Sequence, residues 1–343
     1  MTRALIVHRA GPGVTVQDAG RRGYLGFGLS QGGAADRLAL AEGAALLAQP
    51  DTCAALEMAG MGGDFEATED LRIALTGAPM RASLDGTRLA WNASHSLPRG
   101  ARLSIGAVTA GTYGYLHVGG GLDLPETLGA RSAHLAAGIG APVAAGARLP
   151  VGPDRAAATR TGLTLDADPR FDGGTVSIVP SLQTGFFPQA ERTRFEQTAM
   201  RRDTRGNRMG VRLLPDGGGF HSDAGLSVLS EVIVPGDIQI TGDGTPFVLL
   251  AECQTTGGYP RIGSVLPSDL PRVAQAAAGA TLRFRFVSIE DGIAAETRAA
   301  RHRKALRGAA RPLIRDPHSI PDLLSYQLIG GVTAGDDLER TET

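Results

Sequence analysis

Three stretches of this chain carry residue types that could hold an anion or an amide. Gln17-Asp18-Ala19-Gly20-Arg21 sets an amide, a carboxylate and a guanidinium beside a glycine. Asn207-Arg208-Met209-Gly210-Val211-Arg212 places two arginines four apart, and a guanidinium fork suits carboxylate or phosphate. Gln254-Thr255-Thr256-Gly257-Gly258-Tyr259-Pro260 runs into Arg261, and backbone N–H groups in such a Gly-Gly loop can approach an anion closely. Each has a plain structural reading as well: an Asp-centred turn with its arginine paired, or an ordinary β-turn. A fourth stretch, Gly28-Leu29-Ser30-Gln31-Gly32, fits the GxSxG of a nucleophile elbow. The α/β alternation that an elbow requires does not follow it, and no acid and histidine can be assigned behind the serine. A glycine-rich turn before a helix fits better.

The missing residues narrow the chemistry further. Of 34 basic residues, Lys304 is the only lysine. A Walker A loop needs a lysine on the phosphates, and none of the glycine-rich loops offers one. A Schiff-base lysine would have to be Lys304, in a polar stretch where nothing would lower its pKa. For the same reason no covalent biotin is expected on this chain. The seven histidines form no HExxH and no close pair at ligand spacing, so no metal site is expected. Cys53 and Cys253 lie far apart and fit a reducing compartment. A net charge of -1 gives no nucleic-acid footprint. With no signal-length apolar segment at Met1–Val7 and no run of about 18 apolar residues, neither export nor a membrane span is expected, and the cytoplasm is.

The elements that must position these residues read as mainly β. The chain has 343 residues, 42% of them hydrophobic, only 5% aromatic, with 48 scattered glycines. That composition suits an aliphatic core and many turns between short strands. The best helix of the first half spans 34–48, with Gly43 as a weak spot and Pro50 beyond its end. Strands are expected at Leu5–Val7, Arg72–Leu75, Ala82–Leu84, Arg102–Ile105 and Gly114–Val118, with Asp85-Gly86 marking a hairpin. Further strands are expected at Val176–Val179, Ser227–Leu229, Ile238–Ile240, Phe247–Leu250 and Thr281–Phe286, and a helical turn at Asp269–Gln275. From Ala294 to Ala309 the chain reads as an exposed helix or tail, dispensable for folding, and Pro312–Thr343 carries little pattern. Gly100-Ala101-Arg102-Leu103, Gly146-Ala147-Arg148-Leu149 and Gly279-Ala280-Thr281-Leu282 form a faint internal echo.

Over residues 3 to 290 the sequence resembles the KipA family, also known as allophanate hydrolase subunit 2. VQDAGRRGY, GGAAD, AALEM and IALTGA open the match. GYLHVGGGLDLPETLGARSA, NRMGVRL, LSEVIVPGDIQITGDGTPFVLLAECQTTGGYPRIGSVLPSDL and AAGATLRF follow in the family's order. QTTGGYP with the preceding GDGTP is the most specific piece.

The resemblance implies two tandem cyclophilin-like β-barrel units, here 1–165 and 166–290, followed by a C-terminal tail over 291–343. It implies a KipI-like B subunit (allophanate hydrolase subunit 1) as partner, with a lactam-handling A subunit. The implied activity is opening of 5-oxo-L-proline to L-glutamate with ATP, which the assembled complex would bind. The alternatives are the carboxyltransferase component of a biotin-dependent urea or amide carboxylase, and a non-enzymatic regulator that sequesters a KipI-like partner. In the hydrolase reading Asp18, Arg21 and Asp36 are the expected catalytic group, the aspartates holding a metal or orienting an arginine. Gln17, Arg131, Arg208, Arg212, Gln254, Thr255, Thr256, Gly257, Gly258, Tyr259 and Arg261 are the expected substrate- or phosphate-binding set. The sequence departs from the family pattern at Ala130 and Ala133, which flank Arg131-Ser132 where hydroxyls are usual. Gly32 stands in place of a serine, and Arg261 in place of a lysine. An arginine cannot serve as a base at neutral pH, so position 261 can only bind.

Overall fold

Short apolar runs between glycine turns build two β units; the first has a core between its sheets, and the barrel core continues into the first unit at Leu40, Tyr113 and Tyr115. The computed structural model describes residues 3–225 and 227–314. In the first unit, one antiparallel sheet runs in spatial order Arg148–Pro150, Ala4–Ala10, Gly63–Ala67, Arg102–Val108, Met80–Leu84 and Thr87–Arg88. The second runs Thr15–Gln17, Ala55–Ala59, Tyr113–Val118, Leu71–Gly77, Ala93–Leu97, Leu163–Thr164 and Arg311–Pro312. Leu5, Phe65 and Leu103 of one sheet meet Leu56, Ile73 and Leu116 of the other, all fully buried. The expected hairpin is present. Asp85 and Gly86 both have positive φ, 47° and 83°, and join Leu84 to Thr87 as a tight primed turn requires.

The second unit is a closed seven-stranded barrel. Its order is Gly174–Val179, Arg261–Val265, Asp237–Ile240, Pro246–Leu249, Gly210–Pro215, Met200–Gly206 and Thr281–Phe286. The ring closes by parallel pairing of the first and last of these strands. Leu282 and Phe284 point into the barrel while Arg283 and Arg285 point out, as the alternation predicts. Ser227–Leu229 is not a strand. Val228 makes one backbone bond to Gly258, Leu229 is exposed, and the ladder starts instead at Glu231–Val232, which pairs with Thr256–Gly257.

Helix α1 (Arg37–Leu47) fills the stretch expected to be helical. Asp36 caps it, its Oδ1 accepting the Ala39 N–H at 3.0 Å, and Ala48 ends it in the left-handed region. Gly43 is a packing requirement rather than a defect, since a Cβ there would lie 2.3 Å from the buried His117 ring. Helix α2 (Gln189–Gln197) escaped the sequence reading because Phe195 is its only buried residue. Helix α3 (Leu270–Gln275) is the expected helical turn.

The stretch expected as an exposed helix or tail forms helix α4 (Ile289–Ala309), which docks at a few points. Leu306 is buried in a cluster with Leu46 and Leu47 of α1 and with Leu165. Beyond it Arg311 and Pro312 pair with Thr164 and Leu163, so the chain returns to the first unit and extends its sheet. A few apolar residues at long spacing were enough to dock a helix whose composition is polar. The expectation for residues 315–343 lies outside the described residues. The echoed Gly-Ala motifs are one turn used three times: Gly100, Gly146 and Gly279 have φ of 75°, 85° and 85°, and strands begin at Arg102, Arg148 and Thr281.

Burial pushes the pKa of His117 down to about 3. Its ring stays neutral, and its Nε2–H donates to the Thr76 hydroxyl, which in turn donates to the Ala39 carbonyl. The unfolded chain therefore binds a proton that the folded chain refuses. Stability should fall as pH drops from about 6.5 toward about 3. Urea titrations should show a loss of roughly 2 kcal/mol between pH 7 and 5, a loss that His117→Gln reduces. Gly43→Ala should destabilise by about 1–3 kcal/mol, opposite in sign to the usual helix effect of this change. A rise in Tm for that variant would contradict the packing argument.

Candidate functional site

The strand Thr15–Gln17 delivers Gln17, Asp18 and Arg21 into a loop that folds back on itself. The Arg21 N–H donates to the Gln31 carbonyl at 2.7 Å and the Ala34 N–H to the Asp18 carbonyl at 2.9 Å. Gly20 and Gly33 meet where the two passes touch, and a Cβ on Gly33 would stand 2.6 Å from the Gly20 nitrogen. Asp18 and Arg21 do not form the expected side-chain pair. Asp18 accepts the N–H groups of Gly20 (2.9 Å) and Arg131 (2.6 Å). The buried Arg21 guanidinium donates to the carbonyls of Thr127 and Ser132 and to the Ser132 hydroxyl. Burial holds it below the usual guanidinium range, against the opposing pull of Asp18. Gln17 donates to the Ala133 carbonyl at 3.2 Å, leaving its own side-chain oxygen buried without a partner. Arg131 reaches outward to Glu126 and Asp123. These four expected site residues therefore meet, as a clamp on the 127–133 loop.

Ser30 is buried and lies 2.8 Å from His134 Nε2, a partner the spacing did not identify. The direction of this bond decides its chemistry. His134 Nδ1 accepts the Ala137 N–H at 3.2 Å, and burial lowers the pKa of the ring. A neutral ring with a lone pair at Nδ1 carries its hydrogen on Nε2, so His134 donates to Ser30. A nucleophile's base must accept there and donate at Nδ1. The GxSxG is a turn, as the sequence reading favoured.

A buried ionic network joins the two units. Arg208, in the turn between Met200–Gly206 and Gly210–Pro215, donates to Glu252 at 2.6 Å, to Glu57, and to the Gly33 carbonyl. The other Glu57 oxygen accepts the Tyr115 hydroxyl at 2.6 Å and the Ala35 N–H at 2.8 Å. Burial, reinforced by Glu57, raises the Tyr115 pKa well above the usual range. Asp36 belongs to a second bridge. Beyond capping α1, it accepts Arg170 Nε at 2.7 Å and Gln275 Nε2 at 2.8 Å, and Arg170 also holds Glu42. Both Asp36 oxygens are thus engaged in structure. Glu57, Tyr115, Glu252, Arg170 and Gln275 were all missed. The usable signal was an acid inside an apolar run, as in Ala-Leu-Glu-Met-Ala and Leu-Leu-Ala-Glu-Cys. Among the described residues no group of three or more His, Cys, Asp or Glu could hold a metal ion.

Behind Arg208 opens a cleft of about 570 Å³ on the outer face of the barrel. The Thr204–Asn207 turn, Gln239, Phe247, Leu249, Cys253 and Gln254 line it. Burial pushes the Cys253 thiol up to about 12, which disqualifies it as a nucleophile at neutral pH. Of the Gln254–Arg261 stretch, only Gln254 faces the cleft. Thr255 pairs through its carbonyl with Ile233, and Thr256 and Gly257 form the small ladder with Glu231–Val232. Gly257 lies against the Gln239 amide, which a Cβ would approach to 2.4 Å. Gly258 abuts the Val228 carbonyl and Tyr259 is exposed. Arg261 is buried and fully engaged, donating to Glu231 (2.6 Å), Asp237 (3.1 Å) and the Val232 carbonyl (2.9 Å). Arg212 lies on the barrel's outer face with Asp203 at 3.0 Å. What the cleft offers is the amides of Gln239 and Gln254 beside apolar walls, with the exposed Arg205 guanidinium at the turn, a surface that can orient a planar amide.

Arg208→Ala should cost about 3–5 kcal/mol by leaving Glu57 and Glu252 buried and unpaired, and Arg208→Lys should fall between that and wild type. Urea unfolding measures both; a loss below about 1 kcal/mol for the alanine variant would remove the network from its central place.

Comparison with known proteins fits this architecture. Residues 27–286 match the family described as the carboxyltransferase domain, subdomain A and B. The 5-oxoprolinase C subunit of Haemophilus influenzae is 31% identical over 81% of this chain and 89% of that protein. That of Escherichia coli K12 is 31% identical over 85% of this chain and 94% of its own. The crystal structure of TTHA0988 superposes with a TM-score of 0.76 at 30% identity, over 83% of this chain, which spans 56% of that one. The Kluyveromyces lactis urea carboxylase shares the fold, with a TM-score of 0.76 at 24% identity over 92% of this chain and 31% of that chain. Two β units joined through buried arginines, matched over most of their length, place the chain in the carboxyltransferase-domain family with its subdomains A and B.

Proposed function

We propose that this chain is the C subunit of an ATP-dependent 5-oxoprolinase, working with a KipI-like B subunit and a lactam-handling A subunit in the cytoplasm. The observation that carries this reading is the match to the two 5-oxoprolinase C subunits, at 31% identity and over 89% and 94% of their lengths. The fused urea enzymes match at lower identity and over a small part of their chains. The carboxyltransferase reading rests on the family description and is the competitor that the assay must separate.

The chemistry asked of such a complex suits a site without a protein nucleophile. Transfer of the ATP γ-phosphoryl group to the lactam oxygen releases ADP and makes the ring carbon electrophilic. Water adds to that carbon, the C–N bond breaks, and the nitrogen leaves as the amine. A second water then removes the phosphate from the new carboxyl group. Each step demands positioning and charge neutralisation, which fixed dipoles supply. In this reading Gln254 and Gln239 orient the lactam in the cleft. Arg208 holds the cleft's back wall against the first unit. Arg261 and Arg212 shape loops through their ion pairs.

The test is purification with A- and B-type subunits, followed by assay for ATP-dependent release of glutamate from 5-oxoproline. The full complex should turn over and the isolated chain should not. Bicarbonate-dependent carboxylation of urea with a biotin carboxylase, in place of lactam opening, would sink the reading. In the active complex Gln254→Ala should lower kcat/KM roughly 2–10-fold with an unchanged Tm, the scale of a hydrogen bond between neutral groups. Ser30→Ala should leave turnover within about threefold, because its histidine faces the wrong way for catalysis. Arg261→Lys should lower Tm, because an ammonium cannot reproduce the fork between Glu231 and Asp237.

A further inference from the structure

A second cavity, of about 450 Å³, lies between α1 and α4, beside Ala19 and Arg22. Arg22, Arg37, Arg298, His302 and Arg303 line it. Among the described residues, none of these four guanidiniums has an ion-pair or hydrogen-bond partner. All four reach solvent, unlike the buried Arg72, Arg170, Arg208 and Arg261, which are each matched to carboxylates. Arg37 is held below the usual guanidinium range, first by desolvation and then by repulsion from Arg22 and Arg303. It is also the first residue of α1, where the helix dipole disfavours a cation. Three carboxylates share the wall without forming an ion pair with any of the four. Glu296 accepts the Ser268 N–H at 2.7 Å, Asp168 lies 3.7 Å from Arg170, and Asp51 pairs with none of the four. Leu40, Pro271 and Ala299 supply an apolar wall.

Four guanidiniums against three carboxylates leave the lining net positive, and none of the four is neutralised by direct contact. A polyanion inserted among them reverses the sign of each interaction. We propose that Arg22, Arg37, Arg298 and Arg303 bind the phosphates of a small polyphosphorylated anion in this pocket, with its organic part against the apolar wall. The volume falls within the range of small-ligand sites. Arg298, His302 and Arg303 come from α4, beyond the 27–286 stretch shared with the family, and Arg22 precedes it. Arg37 and the apolar residues Leu40 and Pro271 lie within that stretch, so the pocket forms where α4 meets the common domain. That its occupant is ATP rests on the function proposed above; that it takes phosphate does not.

The experiment is calorimetric titration of the full chain with tripolyphosphate, ATP and AMP at low salt, with Tm measured in parallel. Tripolyphosphate and ATP should bind saturably and raise Tm, AMP should bind at least ten-fold more weakly, and added salt should weaken all three. Arg37→Gln and Arg303→Gln should each weaken tripolyphosphate at least ten-fold, while their ligand-free Tm stays level or rises because repulsion is relieved. Arg283→Gln, an exposed arginine on the barrel, should bind like wild type. The proposal is overturned if wild type shows no saturable binding, if Arg283→Gln loses as much as the pocket variants, or if the pocket variants lose nothing. Tripolyphosphate binding that persists when the assembled complex fails to open 5-oxoproline would keep the pocket and discard the enzyme reading.

Discussion

Arg208 is the point on which the two units turn. It leaves the barrel through a tight turn and ends between a carboxylate of each unit, Glu57 and Glu252, with the Gly33 carbonyl as its third partner. Two buried carboxylates at this distance need a cation between them, and a buried arginine needs both. Arg208 and Glu252 pair within the barrel, whereas Glu57 of the first unit meets its cation only across the junction, so docking completes the network. The geometry then propagates. Glu57 fixes Tyr115 and the Ala35 N–H, Tyr115 accepts the Asp36 N–H, and Asp36 sets the start of α1 and the second bridge through Arg170 and Gln275. The loop from Gln17 to Asp36 has little freedom left once these bonds are made.

This explains why so many of the arginines that looked like ligand groups are not free. A guanidinium with fixed donors is the most economical way to lock a loop to a barrel, and the fold uses it at Arg21, Arg72, Arg208 and Arg261. The cleft beside Gln254 is consequently defined by charge that has already been neutralised. Its walls carry the amides of Gln239 and Gln254 and one guanidinium, Arg205, which Asp203 partners.

The fold was largely legible in the sequence. Alternation in Thr281–Phe286, the Asp85-Gly86 turn and the capped run behind Asp36 are local signals, and local signals survive into the structure. The site was legible only in part. Gln17, Asp18, Arg21 and Arg131 do meet, because loop residues rich in turn chemistry tend to be held by one another. Their roles were not legible, since whether Arg261 faces a cleft or two acids depends on Glu231 and Asp237, 30 and 24 residues away. Glu57 and Glu252 were passed over because an acid in an apolar run looks like a break in a pattern rather than the centre of one. The docking of helix α4 was not legible, because it rests on two buried residues, Gly292 and Leu306, in an otherwise polar helix.

The return of the chain to its beginning has a consequence for synthesis on the ribosome. The outer strand of the first unit's sheet, Arg311–Pro312, and the residue that covers Leu46 and Leu47, Leu306, are translated long after the elements they complete. The barrel likewise cannot close until Thr281–Phe286 has emerged to meet Gly174–Val179. At about 5–20 residues per second, the apolar side of α1 stays uncovered for on the order of tens of seconds. A nascent chain in that condition is a client for chaperones, and the pace of elongation through α4 decides how long it remains one.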